Sequence, residues 1–140
     1  MQNTSKSDKP NLEIYICSSC RPKDSDPDDP SRPGEDLAKD LSAKLSAAGL
    51  NDKFSLKLVQ CMSVCKRPAT AAIMSPGKFT YTIGDLDPLT AADDLITFAK
   101  LYEETIDGVT VWRERPEQIR KGVISRTPCF SASHERITDT

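Results

Sequence analysis

Four of the five cysteines fall in two close pairs, Cys17-Ser18-Ser19-Cys20 and Cys61-Met62-Ser63-Val64-Cys65, each directly after a short β-like run. Two thiolates separated by two or three residues can grip one metal ion or one edge of a cluster. A fold that sets two strand ends side by side then completes four sulfur ligands. The forty residues at 21–60 between the pairs must therefore carry the chain from one strand end back to the same edge. Parallel strands need a crossover of a dozen or more residues, and a loop plus a helix fills that span.

The hydrophobic period supplies those elements. Leu12 to Cys17 is short and β-rich, and predicts a strand that ends at the first pair. Residues 21–33 hold Pro22, Pro27, Pro30 and Pro33 among many aspartates, which continue neither helix nor sheet. A helix is expected from about Gly34, with Leu37, Leu41, Leu45 and Ala48 as its apolar stripe and Gly49 as its stop. Phe54 to Gln60 reads as a second strand, with Phe54, Leu56 and Leu58 on one side, and delivers Cys61. Ala69 to Met74 and Phe79 to Ile83 form a hairpin around Ser75-Pro76-Gly77-Lys78. A second helix should begin at Thr90, capped by its hydroxyl with Asp93 completing a capping box, and bury Ala92, Leu95, Ile96, Ala99 and Tyr102. Beyond Gly108 the pattern weakens. Val109, Val111 and Trp112 suggest a short strand, Pro116 to Lys121 a helical turn, and the last dozen residues a loose tail. The expected product is an α/β domain: a parallel strand-helix-strand unit extended by an antiparallel hairpin into a mixed sheet, with helices packed on it. The chain divides into a tail at 1–11, the domain at 12–107, a basic extension packed on it at 108–128, and a flexible tail at 129–140.

Composition narrows the setting. A chain of 140 residues is one domain, and no run approaches the roughly 20 apolar residues needed to cross a bilayer. The first eleven residues lack the apolar centre of a secretory signal, so the expected location is the cytoplasm. In that reducing setting an odd count of five cysteines fits metal ligation better than a disulfide framework. A net charge of −2 gives no global field for nucleic acid or an anionic membrane. Locally, residues 21–40 carry a net −3, whereas 112–126 carry +3 through Arg113, Arg115, Arg120, Lys121 and Arg126. Such runs are by default solvated surface. The basic one would also suit docking of an acidic redox partner on Arg113, Arg115, Arg120 and Lys121. The lone Trp112 among these arginines is read as core packing.

Several chemistries compete for the thiols. Cys17, Cys20, Cys61 and Cys65 suit a 2Fe-2S cluster with one pair per iron, which predicts a one-electron carrier, and the alternative is a tetrahedral zinc site on the same four thiolates. Ser18, Ser19, Ser63 and backbone amides are available to donate hydrogen bonds to sulfur, with Arg21, Lys66 and Arg67 adding positive charge. A redox dithiol at Cys17 and Cys20 would need a helix N-terminus directly after it, and the proline-rich loop postpones the helix. Cys129 has no partner at short spacing and reads as a free thiol; His134, the only histidine, reads as a surface residue. Asp24, Asp26, Asp28 and Glu35 match part of a calcium-loop template, but Asp29 stands where glycine is required and flanking helices are missing. No nucleophile has a base nearby in sequence and no glycine-rich phosphate loop appears, so no enzyme activity is expected.

The combination of Cys17 to Cys20, Cys61 to Pro68, Phe79 to Leu86 (Phe-Thr-Tyr-Thr-Ile-Gly-Asp-Leu) and Trp112-Arg113-Glu114-Arg115-Pro116 resembles a bacterial family of metal-binding proteins of uncharacterised role, itself similar to the thioredoxin-like 2Fe-2S ferredoxins. The resemblance covers roughly residues 12–128. It implies a thioredoxin-like fold, Cys17, Cys20, Cys61 and Cys65 as cluster ligands, and one-electron transfer to a partner. Two residues separate the first two cysteines here, a shorter spacing than those ferredoxins generally have. Family members are often associated with cobalamin synthesis, which implies a supply of electrons or cobalt to that pathway. The ferredoxins are commonly homodimers, so a homodimer is carried as an expectation of the resemblance alone.

Overall fold

The computed structural model describes residues 10–140; residues 1–9, most of the expected N-terminal tail, lie outside them. The elements are β1 (Leu12–Cys17), α1 (Pro33–Ala47), β2 (Phe54–Val59), β3 (Ala71–Met74), β4 (Thr80–Ile83), α2 (Ala91–Glu103), a 3-10 turn at Trp112–Glu114, α3 (Glu117–Gly122) and β5 (Val123–Thr127). They build one sheet in the order β2-β1-β3-β4-β5, in which β1 and β2 are parallel and every other neighbouring pair is antiparallel. This is the expected strand-helix-strand unit extended by a hairpin. Among the described residues no helix is long and apolar enough to cross a membrane.

Alternation along the strands separates two faces. Leu12, Ile14 and Ile16 of β1, Ala71 and Ile73 of β3, and Tyr81 and Ile83 of β4 form one buried cluster with Leu37, Leu41 and Leu45 of α1 and Leu95, Phe98, Ala99 and Tyr102 of α2. Each large apolar side chain removed from water there contributes about 1.5–3 kcal/mol. The opposite face carries Glu13, Tyr15 and Lys57, joined by Tyr15 Oη donating to Glu13 at 2.7 Å and Lys57 Nζ to Glu13 at 3.0 Å. The helices end where their sequences direct. Pro33 occupies the first turn of α1 with Glu35 and Asp36, where the positive end of the helix dipole favours acids. Gly49 beyond its end takes φ +69°, the left-handed geometry that glycine adopts without strain.

Five local expectations are corrected. Ala48 is exposed, because α1 ends at Ala47 before the stripe can extend to it. Leu58 is 52% exposed, since β2 is an edge strand that α1 covers only in part. Thr90 makes no cap hydrogen bond; its hydroxyl accepts from Gln118 Nε2, and Asp87 O receives the amides of Thr90 and Ala91 instead. Val109 to Trp112 forms no strand, because Thr110 is tied sideways to Tyr81 Oη by its amide and hydroxyl, and β5 supplies the fifth strand. Trp112 is 64% exposed rather than core, with the Arg120 guanidinium 5.3 Å above its ring.

Candidate metal centre

The parallel register sets the geometry of the site. Cys17 at the end of β1 stands opposite Val59 at the end of β2, so Cys61 emerges two residues beyond it at the same edge. Ser18 N donates to Val59 O at 2.8 Å, and Cys17 N donates to Thr70 O at 3.0 Å, which locks the first pair between β2 and the start of β3. Cys17 and Cys20 are buried, whereas Cys61 and Cys65 are exposed. Above the buried pair, α1 comes so close that a Cβ on Gly34 would lie 1.8 Å from the Cys17 carbonyl oxygen. Sequence reading found in Gly34 only a helix start.

The sulfurs of Cys17 and Cys20 lie 3.1 Å apart. A disulfide would hold them at about 2.05 Å. A tetrahedral ion with bonds of about 2.3 Å would hold them at roughly 3.8 Å, so a small opening of the pair admits a metal. Burial opposes ionisation of Cys17, yet hydrogen bonds from the Cys20 thiol and the amides of Met62, Ser19 and Cys20 outweigh it and bring its pKa down to about 7. Burial raises Cys20 to about 12, reinforced by its contacts with Cys17 and then Cys65. The second loop thus acts on the ionisation of the first pair: Met62 helps to lower Cys17, and Cys65 helps to raise Cys20. Ser63, at φ +61°, turns its own amide back onto the Cys61 sulfur at 3.4 Å.

Among the described residues, no three His, Cys, Asp or Glu side chains converge on a single metal-sized point. The donor set nevertheless fits a thiophilic metal group in kind. It consists of thiols with no histidine or carboxylate interleaved, and backbone amides stabilise the charged form. What the arrangement lacks is closure of the exposed pair over the buried one. In metal-free protein, brief treatment with iodoacetamide should label Cys61 and Cys65 first and leave Cys17 and Cys20 protected by burial. Peptide mass spectrometry reads the order, and early labelling of Cys17 would contradict it.

Other residues singled out from the sequence sit elsewhere or act differently. Arg21 donates to Pro27 O at 3.0 Å inside the acidic loop, and Ser18 Oγ to Val59 O, so neither is directed at sulfur. Ser19 Oγ reaches Cys17 Sγ at 3.9 Å. In the acidic loop, Asp26 and Asp29 accept backbone amides two residues on. Arg115 is buried: it lies over the Tyr81 ring at 5.2 Å and donates to Thr110 Oγ1 at 2.8 Å, so it shapes the extension and offers no docking charge. Arg126 likewise turns inward over Phe79, whereas Lys121 pairs with Glu117 at 2.6 Å. His134 pairs with Asp107 at 2.8 Å and meets the Phe79 ring edge-on. Cys129 lines a cleft with Leu12, Met74 and Pro76, at the end of the sheet away from the two pairs.

Sequence reading missed the contact that holds the second pair. Arg67, two residues after Cys65, donates through Nε to Asp85 Oδ2 at 2.7 Å, and its Nη2 lies at the same distance from that oxygen. The Gly84-Asp85-Leu86 segment thus faces the cysteine loop across the sheet edge. The motif was visible as residues, but the pairing joins positions eighteen apart through the hairpin and has no local signature.

Comparison with solved structures gives the fold its name. The chain is similar to a thioredoxin-like [2Fe-2S] ferredoxin from Aquifex aeolicus at 15% identity and TM-score 0.55, over 84% of this chain and 93% of that one. A second structure, of the wild-type thioredoxin-like [2Fe-2S] ferredoxin from the same organism, aligns at 17% identity and TM-score 0.51, over 83% and 98%. At these identities the likeness shows the fold, which is thioredoxin-like. No curated protein matches the sequence. A family profile described as "Protein of unknown function (DUF1636)" spans residues 14–129.

Proposed function

The chain belongs to the DUF1636 family, and from that footing we propose that it is a 2Fe-2S electron carrier in which Cys17 and Cys20 hold one iron and Cys61 and Cys65 the other. The observation that carries the reading is the parallel register that brings both pairs out at one sheet edge, with Cys17 closing β1 opposite Val59 and Cys61 following two residues later. The likeness to thioredoxin-like [2Fe-2S] ferredoxins supports it. A bound cluster would accept and release single electrons. The protein's part is to keep the buried pair dry, to stabilise thiolate charge with backbone amides, and to present the exposed pair toward an acceptor. No catalytic residue is assigned. The acceptor is a cytoplasmic redox protein docking on exposed Arg113 and Lys121 and half-buried Arg120, and a role in cobalamin synthesis and a homodimeric state belong to the same proposal.

A second reading is metal handling, with zinc or cobalt on the same four thiols. It is favoured by the exposure of Cys61 and Cys65, which leaves half the donor set open to exchange. One experiment separates the two: the visible spectrum of protein purified without oxygen, with iron, acid-labile sulfide and zinc assayed on the same sample. A red-brown protein with about two irons and two sulfides per chain is expected. A colourless zinc protein would replace electron transfer by metal handling.

A further inference from the structure

The exposed cysteine loop has no strand of its own to hold it, yet its exit is fixed at several points. Arg67 N donates to Val64 O at 3.0 Å, and Thr70 Oγ1 donates to Arg67 O at 2.8 Å. Asp85 N also donates to Arg67 O, at 3.0 Å, while the Asp85 carboxylate receives the guanidinium. Asp85 stands at φ +55°, a left-handed geometry that Asp and Asn tolerate better than most side chains. Beneath this contact Gly84 leaves no room: a Cβ there would lie 2.9 Å from both Arg67 Cβ and Ile124 Cδ1. Gly84 N in turn donates to Gly122 O at 2.8 Å, at the last residue of α3. A continuous brace therefore runs from the cysteine loop through Arg67, Asp85 and Gly84 to the C-terminal extension.

We propose that Arg67 and Asp85 are positioning residues that hold the Cys61 to Cys65 loop against the buried pair and so set how fast the site releases metal. The ion pair is partly exposed, with side-chain accessibilities of 36% and 55%, and such a pair adds little to global stability. Its consequence is local. Without it the loop exit keeps only the bonds at the Arg67 backbone, and the two exposed thiols are less firmly placed beside Cys17 and Cys20. Residues that orient metal ligands typically change metal affinity by about 10–100-fold when removed. The inference rests on the four cysteines being metal ligands, but not on which metal they hold.

The test uses cobalt(II) as probe on metal-free protein, because its sulfur-to-metal charge-transfer band counts the bound thiolates. Release to excess EDTA is followed by loss of that band, at a temperature well below unfolding. Arg67→Ala should release cobalt about tenfold faster than wild type, with Arg67→Lys recovering part of the difference through its single donor. Asp85→Asn keeps the left-handed turn and one acceptor but loses the charge, and should fall between Arg67→Ala and wild type. Lys100→Ala, an exposed cation on α2 outside the brace, should release at the wild-type rate. Release from Arg67→Ala within about twofold of wild type, or equal acceleration in Lys100→Ala, would overturn the positioning role. Failure of wild-type protein to show any thiolate band would instead overturn the ligand assignment, and the brace with it.

Discussion

Cys17→Ser, purified without oxygen, is expected to retain less than about a tenth of the iron and visible absorbance of wild type. Cys17 is the proposed ligand most tightly fixed by the fold: it closes β1, its amide donates to Thr70 O at 3.0 Å, and its sulfur lies 3.1 Å from that of Cys20. Serine offers a harder oxygen that stays protonated at neutral pH, and the surrounding amides would lose the thiolate they stabilise. Cys129→Ser is the matched control, since that thiol lies at the far end of the sheet, and it should change nothing. Full colour in Cys17→Ser would remove this residue from the ligand set. Loading should also rise with pH, because every ligand must lose its proton and Cys20, raised to about 12, holds its proton at neutrality. In metal-free protein the two shifts act in opposite senses. Cys17, lowered to about 7, contributes stability that is full above its ordinary value of 9.0 and lost as pH falls through 7. Cys20 contributes stability that is full below 9.0 and lost as pH rises toward 12.

Gly34→Ala should destabilise the fold by about 3 kcal/mol and lower Tm by roughly 10 °C. On helix propensity alone the change is favourable, since alanine gains about 1 kcal/mol over glycine inside a helix. Contact decides the sign. The new Cβ would stand 1.8 Å from the Cys17 carbonyl oxygen and 3.0 Å from its carbon, both backbone atoms fixed by the sheet. Either α1 lifts from the sheet or the end of β1 gives way, and in the second case the buried thiol pair moves with it. Calorimetry combined with metal analysis would separate these responses. A Tm within about 2 °C of wild type would show that α1 shifts freely and that the close approach constrains nothing.

The elements that carry the site were legible because they follow simple periods. β1, α1, β2, the hairpin and α2 each have an apolar repeat with Pro, Gly, Asn or Asp at one or both ends, and the cysteine spacing was explicit. What escaped depends on contacts between distant parts of the chain. The fifth strand, Val-Ile-Ser-Arg-Thr, has little alternation and exists because β4 offers it an edge. Trp112 and Arg115 were read in inverse roles: the aromatic lies outside under Arg120, and the cation is inside, held by Tyr81 and Thr110. Composition alone does not show that a buried phenol and threonine will satisfy a guanidinium. Gly34, Arg67 and Asp85 were in plain view, but their partners lie across the sheet or up the hairpin, where no local pattern points.

The acidic segment between Cys20 and α1 has a different significance once its anchors are known. Asp26, Asp29 and Arg21 bond within the segment, while Cys20 on one side lies against the Cys17 sulfur and Gly34 on the other against the Cys17 carbonyl. Its contour length is therefore decoupled from the thiol geometry. The segment can be lengthened, shortened or recoded with little consequence for the fold, and a reporter or an affinity domain can be spliced there, a few residues from the thiol pair, without redesigning the scaffold.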